Sequence, residues 1–250
     1  MKKIENIFYR NTSSPSQALD VYLPDAESFP VFVYFHGGGI VGGDKAEHTF
    51  FADLIKNGVA IVSANYRLYP EASYPDFIRD AAYAVAWAKN HMSEYGNPTA
   101  FFVGGSSAGA YLSQMLCFDK KYLAVHGIDA DTLNGYILDA GQPTVHFNAL
   151  VERGLDSRRV IIDEAAPIYH ITENRTYAPM QIFVADNDMP GRLEQTQLLL
   201  SVLRNMGCDM NRVDYRFMEG YTHTQYSREL NKDGKSVFAP MVLEFMEKYK

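Results

Sequence analysis

Cysteine is scarce: Cys117 and Cys208 are the only two in 250 residues. That excludes a disulfide scaffold, and the pair lacks the close spacing of a zinc site, so both are expected as buried, reduced thiols. Excess positive charge is missing too. Lys and Arg number 23 against 30 Asp and Glu, a formal charge of -7, and the cations are scattered, leaving no electrostatic footprint for nucleic acid. No apolar run approaches the roughly 18 residues of a membrane span. The first residues, MKKIENIFYRNTSS, turn polar before the apolar core of a signal peptide can form. These absences predict a soluble, cytoplasmic chain with no nucleic-acid or membrane partner. Tryptophan occurs once, and Trp87 between Ala86 and Ala88 in a helical pattern reads as packing rather than as a sugar-stacking platform.

What is present is a core-forming chain, 47% hydrophobic and 21% charged, of a size that suits one large domain. Short apolar runs recur at 18–24, 30–35, 59–66, 100–105, 135–140, 181–186 and 213–218, most of them apolar throughout, as strands buried on both faces are. Helical patterns lie between them, over 76–91, 194–206 and 236–249. Strand and helix in alternation predict an α/β fold: a mostly parallel central sheet flanked by helices, with ligands at the C-terminal ends of the strands. NIFYR and ALDVYLP follow each other without a helix, which predicts an antiparallel edge hairpin. The stretch 142–178 breaks the alternation and reads as a small cap insertion, either roofing a site or making a surface excursion.

The chemistry-bearing signal is FFVGGSSAGAYL, 101–112, where an apolar run passes through glycines and serines into a helical pattern. Gly105 to Gly109 fit G-x-S-x-G centred on Ser107, the strand–turn–helix elbow that exposes a nucleophile; a register centred on Ser106 gives G-x-S-x-A instead. A serine hydroxyl needs a histidine to take its proton and a carboxylate to orient that histidine. His223, in GYTH just beyond the last strand, is the candidate base. His36 belongs to a glycine loop, His48 and His91 fall in helical patterns, and His126, His146 and His170 lie in or near irregular segments. The acid is expected after the strand MQIFVA, where Asp186 and Asp188 both qualify. Upstream, FHGGG at 35–39 offers backbone amides to a developing oxyanion, with Gly37 and Gly38 as donors and the Ala108 amide as a third. Gln142, His146, Phe147 and Tyr221, with Tyr226 nearby, are candidates for the pocket wall.

Taken together, HGGG at 36–39, GSSAG at 105–109, DND at 186–188 and GYTH at 220–223 resemble the α/β-hydrolases of the carboxylesterase and lipase kind, in the chain order Ser, Asp, His. LDVYLP at 19–24, NYRL at 65–68, YPDFIRDAAYAVAW at 74–87 and APIYHI at 166–171 extend the resemblance over nearly the whole chain. In similar esterases a Glu-Gln pair follows the acid by six residues; Glu194 stands in that relation to Asp188, so the resemblance favours Asp188 over Asp186. Ile40 departs from the pattern, where relatives commonly carry an aromatic residue. The resemblance implies a serine esterase for small acyl esters, with acetyl or feruloyl esters of plant carbohydrate among the family's substrates, and the chemistry needs no metal or organic cofactor. Amide cleavage of the formamidase type and a non-catalytic binding module are the competing expectations.

Overall fold

The computed structural model describes residues 2–46 and 48–250. Eight strands are formed: β1 (Lys2–Phe8), β2 (Ala18–Leu23), β3 (Ser28–Phe35), β4 (Ala60–Ala64), β5 (Asn97–Ser106), β6 (Gly135–Asp139), β7 (Met180–Asn187) and β8 (Val213–Thr222). They make one sheet in the order β1-β2-β4-β3-β5-β6-β7-β8. β1 and β2 pair antiparallel, β2 runs antiparallel to β4, and every pair from β4 to β8 is parallel. The edge hairpin is therefore present, but its first strand starts at Lys2 rather than at Asn6. That strand is largely exposed, so it has no apolar run to mark its start. The register slips between Ile4 and Ile7, where Asn6 has φ 58° and donates its amide to Asp20 Oδ1 at 2.9 Å.

Alternation along the central strands divides the core. Val31, Val33 and Phe35 of β3 face one side, with Val62, Val103 and Leu138, while Phe32 and Tyr34 face the other, with Ile61, Phe102 and Phe183. On the first side pack α2 (Asp76–His91), α3 (Ala108–Phe118) and α6 (Arg192–Asn205); on the second, α1 (Phe51–Lys56) and α7 (Ala239–Tyr249). Burial of both faces is why these strands read as unbroken apolar runs, each large side chain contributing roughly 1.5–3 kcal/mol. Cys117 lies in this core, whereas Cys208 is half-buried, a correction to the expectation for that thiol; both are free.

Between β6 and β7 the chain makes an excursion that holds the α-helix α5 (Phe147–Glu152) and a 3-10 helix at Pro167–His170; α4 (Lys121–Ala124) lies earlier, after α3. Tyr111 of α3 donates its hydroxyl to the Ala165 carbonyl at 2.8 Å, and Tyr74 donates to the Glu164 carbonyl at 2.8 Å. The excursion is thereby fastened to the helix that starts at the serine elbow. Among the described residues no helix is long and apolar enough to cross a membrane.

Candidate active site

Ser107 sits between β5 and α3 with φ 53° and ψ -111°, a conformation that costs a non-glycine residue on the order of 1–3 kcal/mol. Packing around it explains the flanking glycines. A Cβ at Gly105 would lie 2.4 Å from the Phe35 carbonyl oxygen, and one at Gly109 only 2.0 Å from the same atom. The ends of β3 and β5 and the start of α3 thus touch backbone to backbone. The Ser107 amide donates to the Asp139 carbonyl at 2.7 Å, which ties the elbow to β6.

His223 follows β8 directly and reaches back over the sheet end. Its Nε2 is 2.8 Å from Ser107 Oγ and its Nδ1 is 2.6 Å from Asp188 Oδ1. Burial works against ionisation of Asp188, yet the hydrogen bond to His223 and the attraction of its charge prevail and hold the carboxyl below its usual range. An ionised Asp188 accepts from Nδ1–H, which leaves Nε2 as the acceptor for the serine hydroxyl. Asp186 does not approach His223: its Oδ1 accepts the amides of Gly220 at 2.9 Å and Asn187 at 3.0 Å, joining the ends of β7 and β8.

Ser106 points the other way. Its hydroxyl donates to Asp139 Oδ2 at 2.5 Å and accepts from the Tyr34 hydroxyl at 3.1 Å, while Tyr226 donates to Asp139 Oδ1 at 2.5 Å. Asp139 is buried beneath the elbow, and that burial raises its pKa against the pull of the Ser106 and Tyr226 hydroxyls. A carboxylate and three hydroxyls from β3, β5, β6 and the loop after β8 so form a closed support under Ser107, one that no sequence motif announced.

The glycine loop leaves β3 at His36. That ring stacks on Tyr66 at 4.5 Å between centroids, and its Nδ1 lies 2.7 Å from the Gly37 carbonyl oxygen; Tyr66 donates its hydroxyl to the His36 carbonyl at 2.9 Å. Tyr66 is itself held by its neighbour: Arg67 grips the fully buried Asp80 of α2 at 2.7 and 3.0 Å. Gly38 adopts φ +110°, and a Cβ there would sit 2.0 Å from the Gly42 carbonyl oxygen, so the turn requires glycine. Gly37 lies against the elbow, its hypothetical Cβ 3.4 Å from Ser107 Cβ. Among the described residues the amides of Gly37, Gly38 and Ala108 have no acceptor. Ile40 is 2% exposed, turned into the core, and does not line the cavity beside Ser107.

That cavity, about 200 Å³, is bounded by Tyr34, the three glycines, His48, Met189, His223 and Arg228. His48 is in the loop before α1, not in a helix, and burial pushes its pKa down to about 4, so it is neutral near pH 7. Met189 also borders a second cavity of about 280 Å³, where Gln142 and Phe147 lie. His146 and Tyr221 border neither. His146 is 1% exposed and accepts the Asn148 amide at 3.2 Å as the N-cap of α5, which corrects the expectation that it faces a ligand. Tyr221 stands edge-on against Tyr226 at 5.8 Å. Among the described residues no group of three or more His, Cys, Asp and Glu side chains is placed to hold a metal ion.

A serine on a strand–helix elbow, a histidine after the last strand and an acid after the preceding one define the α/β-hydrolase class. Residues 19–154 match the model of the BD-FAE family, and the chain belongs to that family. It is 26% identical over 234 residues to esterase LipC of Mycobacterium tuberculosis, covering 84% of this chain and 57% of that protein. With the versiconal hemiacetal acetate esterase of Aspergillus parasiticus it shares 31% identity over 206 residues, 78% of this chain and 61% of the relative. The chain thus spans less than two thirds of the length of these relatives. Similar folds include a truncated carbohydrate esterase from gut microbiota, with TM-score 0.77, 19% identity and coverage of 100% of this chain and 96% of that one. Esterase B from Lactobacillus rhamnosis superposes with TM-score 0.79 at 16% identity, over 99% and 86% of the two chains.

Proposed function

We propose that this chain is a serine carboxylic ester hydrolase for small acyl esters. The observation that carries the reading is the continuous hydrogen-bonded line from Ser107 Oγ through both nitrogens of His223 to Asp188, at 2.8 and 2.6 Å. Ser107 Oγ attacks the ester carbonyl as His223 Nε2 takes its proton; Asp188 holds the ring and stabilises the imidazolium. The amides of Gly37, Gly38 and Ala108 receive the oxyanion, and the start of α3 adds its dipole. Collapse expels the alcohol with the proton from His223, and water repeats the sequence on the acyl-enzyme.

The cavity beside Ser107, about 200 Å³, is smaller than the usual range for drug-sized ligands and suits a short acyl group such as acetyl. Acetyl esters of plant carbohydrate are the substrates we infer, a reading supported by the names of the gut-microbiota carbohydrate esterase and the acetate esterase to which the chain is similar. Hydrolysis of p-nitrophenyl acetate, butyrate and octanoate and of a feruloyl ester, by wild type and Ser107→Ala side by side, tests this. Turnover should fall with acyl length and vanish in the variant. A variant as active as wild type rules the reading out.

A further inference from the structure

The protein is acidic overall, yet its candidate cleft is not. Among the described residues no Asp or Glu lines either the cavity at Ser107 or the one that adjoins it across Met189. Both instead contain arginine. Arg228 stands in the first cavity; Arg158, Arg159 and Arg192 stand in the second. Arg158 is paired with Asp156 at 2.6 Å, but Arg159 and Arg228 have no carboxylate within ion-pair distance. Arg192 is 3% exposed and donates only to neutral acceptors, the Ala140 carbonyl and, at 3.4 Å, Gln142 Oε1. Arg192 therefore makes no direct ion pair, and the ionised Asp188 acts on it only across a longer separation.

We propose that the cleft selects an ester that also bears a carboxylate, recognised by the unpaired guanidiniums of Arg159 and Arg228. This rests on the esterase reading above. A planar guanidinium offers a carboxylate two parallel hydrogen bonds, and Arg159 and Arg228 are exposed at the cavity walls, where a substrate enters.

The test pairs 4-acetoxybenzoate with its uncharged isostere, 4-acetoxybenzamide, each followed by release of the phenol. The ratio of kcat/KM for charged over neutral ester is compared with the ratio of their alkaline hydrolysis rates, which removes the leaving-group difference. For wild type the corrected ratio should exceed one and fall toward one as salt rises from about 20 to 500 mM. In Arg159→Gln/Arg228→Gln it should fall roughly threefold to tenfold, chiefly through KM, and Arg159→Lys/Arg228→Lys should restore part of it. A corrected wild-type ratio at or below one overturns the proposal, as does a ratio that the Gln variant leaves unchanged while its thermal unfolding matches wild type. If wild type cleaves neither ester, the esterase reading itself fails, and that result is distinct from loss of charge selectivity.

Discussion

Gly109→Ala is a one-carbon change that separates a geometric elbow from a merely small-residue turn. The added Cβ would sit 2.0 Å from the Phe35 carbonyl oxygen, 2.5 Å from the Phe35 carbonyl carbon and 2.7 Å from the His36 carbonyl oxygen. All three are backbone atoms, so no rotamer change relieves the contact. Reaching ordinary van der Waals separation requires a shift of roughly 1 Å between α3 and the end of β3, and overpacking of this kind costs about 1–3 kcal/mol. For a domain of this size that lowers Tm by roughly 2–12 °C. The displaced atoms lead directly into Gly37, so the oxyanion donors and Ser107 move apart; a misplacement near 1 Å costs about 100-fold in rate. Differential scanning calorimetry and kcat/KM on p-nitrophenyl acetate read the two effects. A variant with wild-type Tm and wild-type turnover refutes the argument that backbone contact at Gly109 sets the site.

The other predictions concern the parts that hold the site. Asp188→Asn should lower kcat about 10⁴-fold with little change in Tm, because the amide no longer fixes the Nδ1–H tautomer; Asp186→Asn, measured alongside, should retain most activity. Tyr226→Phe removes a donor from buried Asp139 and should cost about 1–3 kcal/mol in urea unfolding, and an unchanged midpoint contradicts the role assigned to that hydrogen bond. Burial pushes His146 down to about 3, whereas an unfolded histidine titrates near 6.5, so the unfolded chain binds the extra proton between those values. Stability should therefore fall as pH drops below about 6.5, by up to roughly 1.4 kcal/mol per unit from this residue, and the slope should flatten in His146→Asn, which keeps a capping oxygen.

How much could be read from the chain depended on whether the constraint was local. Gly105 and Gly109 are forced by backbone contact within one strand–turn–helix unit, so they print a short motif around Ser107. His223 was legible from its place after the last strand. Asp186 and Asp188 stood equal on composition, and resemblance favoured the second; in the structure Asp188 lies against His223 while Asp186 ties β7 to β8. Asp139 went unnoticed because it ends an apolar run and its partners Ser106 and Tyr226 are 33 and 87 residues away. Arg228 and His48 likewise enter the cavity only through the three-dimensional course of loops without periodicity. The cap stretch gave no burial pattern, which is why His146 read as exposed to a ligand when it is a core N-cap. The sheet order was legible in outline from alternating strands and helices, whereas the start of β1 was not, since an edge strand facing solvent needs no apolar residues.

Covalent capture of the nucleophile tests the central claim most directly. Wild type is incubated with a fluorophosphonate probe, its intact mass measured, and the adduct located by peptide mapping. The account predicts one adduct per chain, on Ser107, lost in Ser107→Ala and strongly slowed in His223→Ala. A folded wild-type protein that takes up no probe, or an adduct that persists in Ser107→Ala, contradicts it.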